Sequence, residues 1–515
     1  MDTKALRQKI LDLAIRGKLV PQDPNDEPAE VLLERIREQK QQMFKEGKLK
    51  KKDIKNDTII FKGEDNLHYE KFQDGTVKCI EDEIPFEVPE GWAWCKLNDI
   101  YNFIDYRGAT PTKITNGIPL VTAKNVKSGY IDYTIDDYIS EEEFKERQQR
   151  GISKKGDILF TTEAPLGNAA LADMEKFSAG QRLITFQQYG SKNELINYVM
   201  LMFILSDFFQ QQLYVNKTGS TVAGIKAAIL KTLWIPVPPY NEQLRISNTL
   251  KSAINLIDSI SKNKEILSTS ISNTKSKILD LAIRGKIVPQ DPNDEPASVL
   301  LERIRAEKEE LIKQGKIKRD KKESVIFKGD DNSYYGIHLP DSWNWASLRE
   351  IALSISDGSH NPPPNNGSGI PLLSAANIND NSILMNEISR WITNEEWKIE
   401  NQRTNIEVGD VLLTIVGSIG RSAVVQNNNH FALQRSVAVI KPCLINPLYL
   451  MHIVQSPQIQ KWLTDNSKGT AQKGIYLNAL SLMTIPIPPL AEQVRIVEQI
   501  SSVYNQLNKI LEALT

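Results

Sequence analysis

The sequence predicts an α+β protein. Two pseudo-symmetric globular mixed α/β domains are separated by long antiparallel coiled-coil helices, in a circularly permuted duplication. Three observations predict this fold class: a segment near the start of the chain is repeated in its middle, weaker echoes pair the two intervening regions, and long apolar seams of helical period follow each region.

The repeated segment is nearly identical in its two copies. Residues 9–40 match residues 277–308 at 28 of 32 positions, including "ILDLAIRGKLVPQDPNDEP" from Ile10 and "ILDLAIRGKIVPQDPNDEP" from Ile278. The prolines in each copy predict the end of one helix, and the charged amphipathic stretch after them predicts the start of another.

The echoes between the copies follow a second spacing, near 250 residues. They pair "PEGWAWCKLNDI" with "PDSWNWASLREI", "GIPLVTAKNV" with "GIPLLSAANI", "GDILFTTEAPLG" with "GDVLLTIVGSIG" and "WIPVPPYNEQLRI" with "TIPIPPLAEQVRI". Periods of this size indicate two duplicated domains with a shared framework, not a solenoid.

Within these domains several residues are assigned to structure. The alternating Trp92/Trp94 and Trp343/Trp345 pairs predict packed strands, with base stacking as the alternative. Asp157 and Asp410 are predicted to be turn residues. Residues 195–214 and 447–463 are predicted to be amphipathic helices that cover the sheet of each domain.

The apolar seams predict two long helices. The first comprises Ile246, Leu250, Ala253, Ile257, Ile260, Leu267, Ile271, Ile278 and Leu281. The second runs through Ile496, Ile500, Val503, Leu507, Ile510 and Leu514 and resumes at Leu6, Ile10 and Leu13. We therefore predict that the second helix is split between chain ends that lie close together. A helix of about 35 residues would span roughly 50 Å. The alternative is that these helices are core elements of one large domain.

The predicted organisation has seven parts. They are an N-terminal helical region (1–45), a basic linker (46–84), a first domain (85–240), a central long-helix region (241–312), a second basic linker (313–337), a second domain (338–489) and a C-terminal helix (490–515). The basic runs in the linkers predict solvated loops, with phosphate contact or partner docking as alternatives.

Composition excludes several classes of protein. The chain has 515 residues, 40% hydrophobic and 25% charged, with a net charge of −1 and three scattered cysteines. These values are typical of a globular protein, and the cysteines provide neither a disulfide framework nor metal-ligand spacing. Because no apolar run is long enough to cross a membrane, we expect a cytoplasmic protein without a membrane span.

The motifs of catalysis are incomplete. "GSTVAG" and "GTAQKG" have the glycine spacing of a phosphate loop but lack the following Lys-Ser or Lys-Thr. "NPPP" and "PPY" are incomplete forms of the adenine methyltransferase signature, and no glycine-rich turn offers a cofactor site. Asp157 and Glu163 could be the paired carboxylates of a nuclease, but the second copy has Val416 at the position of Glu163. We therefore predict no catalytic residue, no metal and no cofactor.

The whole layout resembles the specificity subunit of type I restriction–modification systems. The resemblance rests on the duplicated "ILDLAIRGK.VPQDPNDEPA" segment, the paired "IP.PP..EQ.RI" junctions and the "P..W.W" opening of each domain. It implies two target-recognition domains, each reading one half of an asymmetric bipartite site in double-stranded DNA, with helix length setting the gap. It also implies docking of two modification (methyltransferase) subunits, and through them restriction (helicase–nuclease) subunits, which carry methyl transfer, ATP hydrolysis and cleavage.

Polar, Gly/Pro-rich loops supply the candidate DNA contacts. They are Arg107, Thr110, Lys113, Lys124, Asn125, Arg182, Lys217 and Ser220 in the first domain, and His360, Asn377, Arg421, Arg435, Lys468 and Lys473 in the second. For each of them an ordinary surface role is the alternative. The resemblance points to Arg16, Lys18, Arg284 and Lys286 for partner docking. Two other functions stay open: a helical scaffold that pairs proteins without reading DNA, and a fused methyltransferase–specificity enzyme.

Overall fold

The computed structural model describes residues 2–54, 57–106, 110–134, 136–189, 194–219, 223–319, 333–469 and 473–514. The chain divides into two compact units, Met1–Asn263 and Lys264–Thr515. Each unit mixes helices and strands, which confirms the predicted fold class.

The first unit contains the N-terminal helices, a loop-bearing domain and the first part of a long helix. Its helices are α1 (Thr3–Ile15), α2 (Ala29–Lys45), α3 (Lys51–Ile54), α4 (Leu97–Ile100), α5 (Glu141–Arg147), α6 (Asn197–Ile204), α7 (Asp207–Val215), α8 (Ala227–Leu230) and the start of α9 (Tyr240–Ile283). Its strands are β1 (Ile59–Lys62), β2 (His68–Lys71), β3 (Val77–Cys79), β4 (Ala93–Lys96), β5 (Tyr101–Asp105), β6 (Ile118–Val121), β7 (Tyr138–Ile139), β8 (Ile158–Thr161), β9 (Ala169–Leu171), β10 (Ser178–Ala179), β11 (Leu183–Gln188) and β12 (Trp234–Val237).

The second unit repeats this order after the end of α9. Its further helices are α10 (Ala297–Lys313), α11 (Leu348–Ile351), α12 (Asn394–Thr404), α13 (Pro447–Val454), α14 (Pro457–Asp465), α15 (Leu477–Ser481) and α16 (Leu490–Leu514). Its strands are β13 (Ser333–Tyr334), β14 (Ile337–His338), β15 (Asn344–Ser347), β16 (Ala352–Asp357), β17 (Ile370–Leu373), β18 (Ile378–Asn379), β19 (Ser382–Ile383), β20 (Trp391–Ile392), β21 (Val411–Thr414), β22 (Ser422–Val424), β23 (Ala432–Leu433), β24 (Val437–Pro442) and β25 (Thr484–Ile487).

The sheets of the two units correspond strand by strand. The antiparallel sheet β5-β11-β8-β9 corresponds to β16-β24-β21-β22, and the mixed sheet β10-β6-β7 corresponds to β23-β17-β20. The pair β4-β12 corresponds in the same way to β15-β25. The echoes in the sequence therefore mark equivalent strands, as a duplication predicts.

Each unit has one large apolar core. In the first, residues of β8 and β11 pack with α6, α7 and the buried faces of α1 and α2. In the second, the equivalent strands and helices pack with the end of α9 and with α10. The four tryptophans of the "W.W" motifs are buried in their units, which confirms the predicted packing; Trp94 and Trp345 lie in β4 and β15, and Trp92 and Trp343 directly precede these strands.

The helices around each core pack antiparallel. In the first unit Arg7 of α1 forms an ion pair with Asp258 of α9, and Gln22, beyond the end of α1, bonds Glu242 near the start of α9. In the second unit Lys275 of α9 donates to Asn508 of α16, while Gln290 reaches Glu492. The long helix is continuous through the predicted seam, but Leu267 and Ile510, which were placed on seams, are 39% and 45% exposed.

The circular arrangement is visible in the order of these helices. The first part of α9 corresponds to α16, and its last part corresponds to α1, so that two segments joined in the middle of the chain recur at its two ends. The proximity of those two ends stays a prediction.

Other expectations are met in detail or corrected. Asp157 and Asp410 are turn residues: each accepts from a backbone N–H three residues earlier, at 2.8 Å. The stretches predicted as single helices are each two helices, with breaks at Ser206 and Ser456. Ser206 caps α7, and Pro457 lies in the first turn of α14, so both favour a new helix start.

The interval 46–84, predicted as a basic linker, contains an antiparallel sheet. Strands β1, β2 and β3 pair in order, and Glu70 of β2 is buried in an ion pair with Lys96. The strands were missed because each is only three or four residues long. In the described part of the chain, no helix is both long enough and apolar enough to cross a membrane.

Candidate nucleic-acid interface

The five polar loops predicted in the first unit meet at one place. Gly180 N–H donates to Val121 O at 2.7 Å, which joins the loop after β6 to the turn between β10 and β11. Thr162 N–H donates to Arg182 O at 3.1 Å, which brings in the loop after β8. These loops and the described residues of two others, 105–106 with 110–113 and 216–219, are called the first loop cluster.

The two remaining loops close the first loop cluster. Thr110 Oγ1 donates to Gln181 Oε1 at 2.7 Å, and Ile225 N–H, after the last loop, donates to Thr162 O at 3.0 Å. Loops far apart in the sequence thus form one polar surface. Arg107 and Ser220, two predicted DNA contacts, lie outside the described residues.

The second unit builds an equivalent surface, the second loop cluster, from residues 356–366, 374–380, 416–421, 433–436, 467–469 and 473–474. Arg435 N–H donates to Ser359 O at 2.9 Å and Gln434 N–H donates to Leu373 O at 2.8 Å. Gly417 N–H donates to Lys473 O at 3.1 Å, and Ile415 N–H donates to Ser436 O at 2.9 Å. The same loop positions therefore gather in both units.

Gly358 is required for this arrangement. A Cβ at this position would lie 2.1 Å from Leu433 O, a backbone atom that cannot move aside alone. We expect Gly358→Ala to separate the strand β16 from the turn at 433–436 and to destabilise the second unit by about 2 kcal/mol, as measured by urea denaturation.

Gly224→Ala provides the control for this substitution. Its added Cβ would meet its nearest neighbour at an ordinary 3.4 Å. An equal loss of stability in both variants would contradict the role assigned to Gly358.

The predicted cations of the first loop cluster are at its surface. Lys124 and Lys217 are exposed, and Arg182 Nε lies 3.1 Å from Glu163. Lys113 Nζ lies 2.6 Å from Asp137. Two cations therefore have carboxylate partners within the unit. For either cation to bind a phosphate, its ion pair would have to break, or the cation would have to contact both anions.

The predicted residues of the second loop cluster are also largely at the surface. His360, Arg435, Lys468 and Lys473 are exposed. Arg421 is half-buried near Asp380, whose pKa is raised by burial, an effect that Arg421 partly opposes. The exposed set is compatible with contact to an extended anionic ligand.

Asn125 and Asn377 differ from the other candidates because both are buried. The Oδ1 atom of Asn125 accepts from Thr122 N–H at 2.9 Å, and its Nδ2 donates to Asp132 O at 2.9 Å. Asn377 makes the matching bonds with Ser374 N–H and Glu387 O. These amides shape the loops from inside, which disfavours the DNA contact predicted for them.

One residue that contacts the second loop cluster was missed by the sequence reasoning. Arg403, near the end of α12, forms an ion pair with Asp357 at the end of β16 and lies beside His360. The capping box at Thr393 and Glu396 could have predicted the helix. Nothing in the sequence links its last turn to residues 46 positions earlier.

The predicted docking residues fall into two kinds. Arg16 and Arg284 each bond an aspartate four residues earlier in their helix, Asp12 and Asp280, and are half-buried. Lys18 and Lys286 are exposed at equivalent positions of the two copies. The lysines are therefore more accessible to a partner than the arginines.

The repeated segment itself is bound by carboxylates within its own unit. Glu242 accepts from Trp92 Nε1 at 2.9 Å and from Gln22 Nε2 at 3.0 Å, and Glu492 accepts from Trp343 Nε1 at 2.9 Å and from Gln290 Nε2. We call each set a carboxylate anchor. Both glutamates are fully buried, and burial raises their pKa.

A second bond reinforces each carboxylate anchor. Arg245 forms an ion pair with Asp26 at 2.5 Å, and Arg495 forms the same pair with Asp294 at 2.5 Å. Side chains of the "EQ.R" motif thus form hydrogen bonds and ion pairs with side chains of the "PQDPND" segment. Part of the near-identity of the repeats is explained by these internal contacts, not by an outside partner.

The described residues contain no group of histidine, cysteine or carboxylate side chains arranged to hold a metal ion. The features that distinguish this chain are its two loop clusters and its two carboxylate anchors.

Comparisons with known proteins agree with this layout. The family model described as the type I restriction modification DNA specificity domain matches residues 89–268 and 340–515. The chain is 28% identical to the type I restriction enzyme EcoEI specificity subunit of Escherichia coli, over 99% of this chain and 90% of that protein. It is 27% identical to the EcoAI specificity subunit of the same organism, over 98% and 90% of the two chains.

A solved structure is similar in fold. It comes from work on complex assembly and conformational transition of the type I R-M system and has a TM-score of 0.55. The likeness covers 84% of this chain and 94% of that chain at 18% identity.

Proposed function

This chain belongs to the type I restriction–modification DNA specificity family, and from that premise we propose that it reads an asymmetric bipartite site in double-stranded DNA. In this proposal each loop cluster binds one half of the site. The chain itself carries no catalytic step, and methyl transfer, ATP hydrolysis and DNA cleavage are performed by its partner subunits.

The convergence of five loops in each unit is the observation that carries the proposal. Reading a base sequence requires several side chains that reach the base edges of one groove, with others that hold phosphates. Each loop cluster presents exposed cations on loops fixed to one another by backbone hydrogen bonds. Loops fixed in this way can keep their side chains aligned with particular base pairs of the duplex.

The asymmetry of the site follows from the differences between the loops. The first loop cluster carries "TEAPLGN" and "AGQRL" where the second carries "VGSIGR" and "LQRS". Because the side chains differ at matching positions, the two half-sites are expected to differ in sequence.

Docking of two modification subunits is proposed for the repeated helical regions. Val31, Tyr240 and Leu244 of the first unit, and Val299, Leu490 and Val494 at the equivalent positions of the second, are each more than a third exposed. Exposed apolar side chains at matching positions of both units suit two copies of one partner. Lys18 and Lys286 are charged residues at matching positions of the same regions.

The proposal is tested by co-expressing the chain with its cognate modification subunit and mapping methylated adenines across the host genome. We expect one bipartite motif with two different halves. A chain that only pairs other proteins would leave the methylated sequences unrelated to its presence, and that result would overturn the proposal. Omitting the modification subunit is the control, because the chain alone is expected to methylate nothing.

A further inference from the structure

We propose that Asp357 and His360 of the second loop cluster, together with Arg403 of the neighbouring helix α12, form a clamp for a pair of acceptor atoms on DNA. Either two oxygens of a phosphate or O6 and N7 of a guanine could fill it. This inference rests on the proposed function, and it adds Arg403 as a contact and Asp357 as a positioning residue.

The clamp is built on one buried carboxylate. The side chain of Asp357 is only 10% exposed, whereas those of His360 and Arg403 are 53% and 50% exposed. His360 Nε2 lies 2.8 Å from Asp357 Oδ2, while Arg403 Nη2 donates to Oδ1 and Nε donates to the main-chain oxygen of Asp357 at 2.9 Å. One buried anion thus orients two surface side chains.

These bonds leave polar atoms of both side chains for a ligand. Asp357 contacts Nε2 of the imidazole, so Nδ1 is the ring nitrogen left for a ligand, and the two N–H groups on Nη1 of the Arg403 guanidinium are unused among the contacts of the described residues. Arg403 Nη2 and His360 Nε2 are 3.2 Å apart, so the two groups lie side by side. Nη1 of Arg403 carries two N–H donors, and a guanidinium that lies beside an imidazole suits a pair of neighbouring acceptor atoms.

The backbone under the clamp is fixed on both sides. Before His360, Ser359 N–H donates to Leu433 O at 2.7 Å, and Gly358 leaves no room for a side chain. After it, Arg390 donates to Pro363 O at 2.8 Å and Asn366 N–H donates to Trp391 O at 2.9 Å. The side chains therefore need little ordering when a ligand binds.

The local charge favours an acceptor-rich ligand. The main chain of Arg435 bonds Ser359, and its side chain is exposed beside the clamp loop. His360 and Arg403 both contact the one carboxylate of Asp357. In the first unit the arginine at the end of α5, Arg147, is buried and donates to Ser178 Oγ and Ala179 O. The two half-sites would accordingly be held by different chemistry.

The test measures DNA affinity of the full chain in complex with its modification subunit. The duplexes carry the methylated motif, or that motif with one half scrambled. His360→Gln and Arg403→Gln are each expected to weaken binding about tenfold, and Lys398→Gln, an exposed cation on the same helix, about twofold or less. Asp357→Asn is expected to weaken binding, but not to add to the loss in a background that carries both His360→Gln and Arg403→Gln, because it acts through those two side chains.

The duplexes distinguish the two acceptors. Equal loss on every duplex, with a salt slope reduced by about one, assigns the clamp to a phosphate. Loss that needs one intact half, with a methylated motif relaxed at one position, assigns it to guanine. The inference is overturned if His360→Gln and Arg403→Gln bind like Lys398→Gln, or if Asp357→Asn lowers affinity further in the His360→Gln/Arg403→Gln background. If the unaltered complex shows no sequence preference, the proposed function fails instead.

Discussion

Replacing Glu492 with alanine is expected to lower the free energy of unfolding of the second unit by about 3 kcal/mol. The change removes the acceptor of Trp343 Nε1 and of Gln290 Nε2, and the indole N–H is left buried without a partner. It also removes a fully buried side chain from the junction between α16 and the repeated segment. The loss is measured by urea unfolding followed by tryptophan fluorescence.

Two variants show whether the hydrogen bonds cause this loss. Glu498→Ala, at an exposed position of the same helix, is expected to change stability by less than about 0.5 kcal/mol. Trp343→Phe combined with Glu492→Ala should lose less than the sum of the single changes, since both remove one bond. Strict additivity would contradict the carboxylate anchor. Glu242→Ala is the matched change in the first unit, and it should weaken that unit's own unfolding transition.

Replacing His452 with methionine is expected to remove an acid-sensitive contribution to stability. Burial lowers the pKa of His452 from 6.5 to about 4, and its ring packs against Tyr504 with centroids 6.0 Å apart. The folded state therefore resists protonation that the unfolded chain accepts. The contribution is present above pH 6.5 and is lost as the pH falls through about 4, and it amounts to about 3 kcal/mol between pH 7 and pH 4.

The first unit provides the replacement, because the buried Met202 occupies the equivalent position of α6. We expect the His452→Met chain to unfold like the unaltered chain at pH 7 and to be more stable at pH 4. Other titrating groups, such as Asp157, whose pKa burial raises to about 6, are common to both chains and cancel in the difference. His430→Gln, at an exposed histidine, is the control. If the free energy of unfolding of the His452→Met chain and of the unaltered chain depends on pH in the same way, His452 does not cause the loss of stability in acid.

The framework was predictable because its residues follow apolar periods and its motifs recur in both halves of the chain. The seam from Ile246 to Leu281 predicted one helix, and α9 spans it. The paired tryptophans predicted buried strands because they alternate and recur in both domains. The burial of individual seam residues was less predictable, since Leu267 fits the apolar period yet is exposed.

The loop clusters were predictable as regions but not residue by residue. Composition indicated which loops are polar, and hydrogen bonds such as Gly180 to Val121 bring them together. Composition does not tell a surface asparagine from a buried one, so Asn125 and Asn377 were predicted alongside Lys124. Arg403 was missed because its partners depend on how α12 packs on β16.

The strand pairs that open and close each loop-bearing domain have a further consequence. Ala93 of β4 lies opposite Val237 of β12, and Asn344 of β15 lies opposite Ile487 of β25. The chain therefore enters and leaves each domain through two adjacent antiparallel strands, which are joined by backbone hydrogen bonds. Under the proposed function, exchanging one such domain would therefore replace one half-site and leave the helices outside it unchanged.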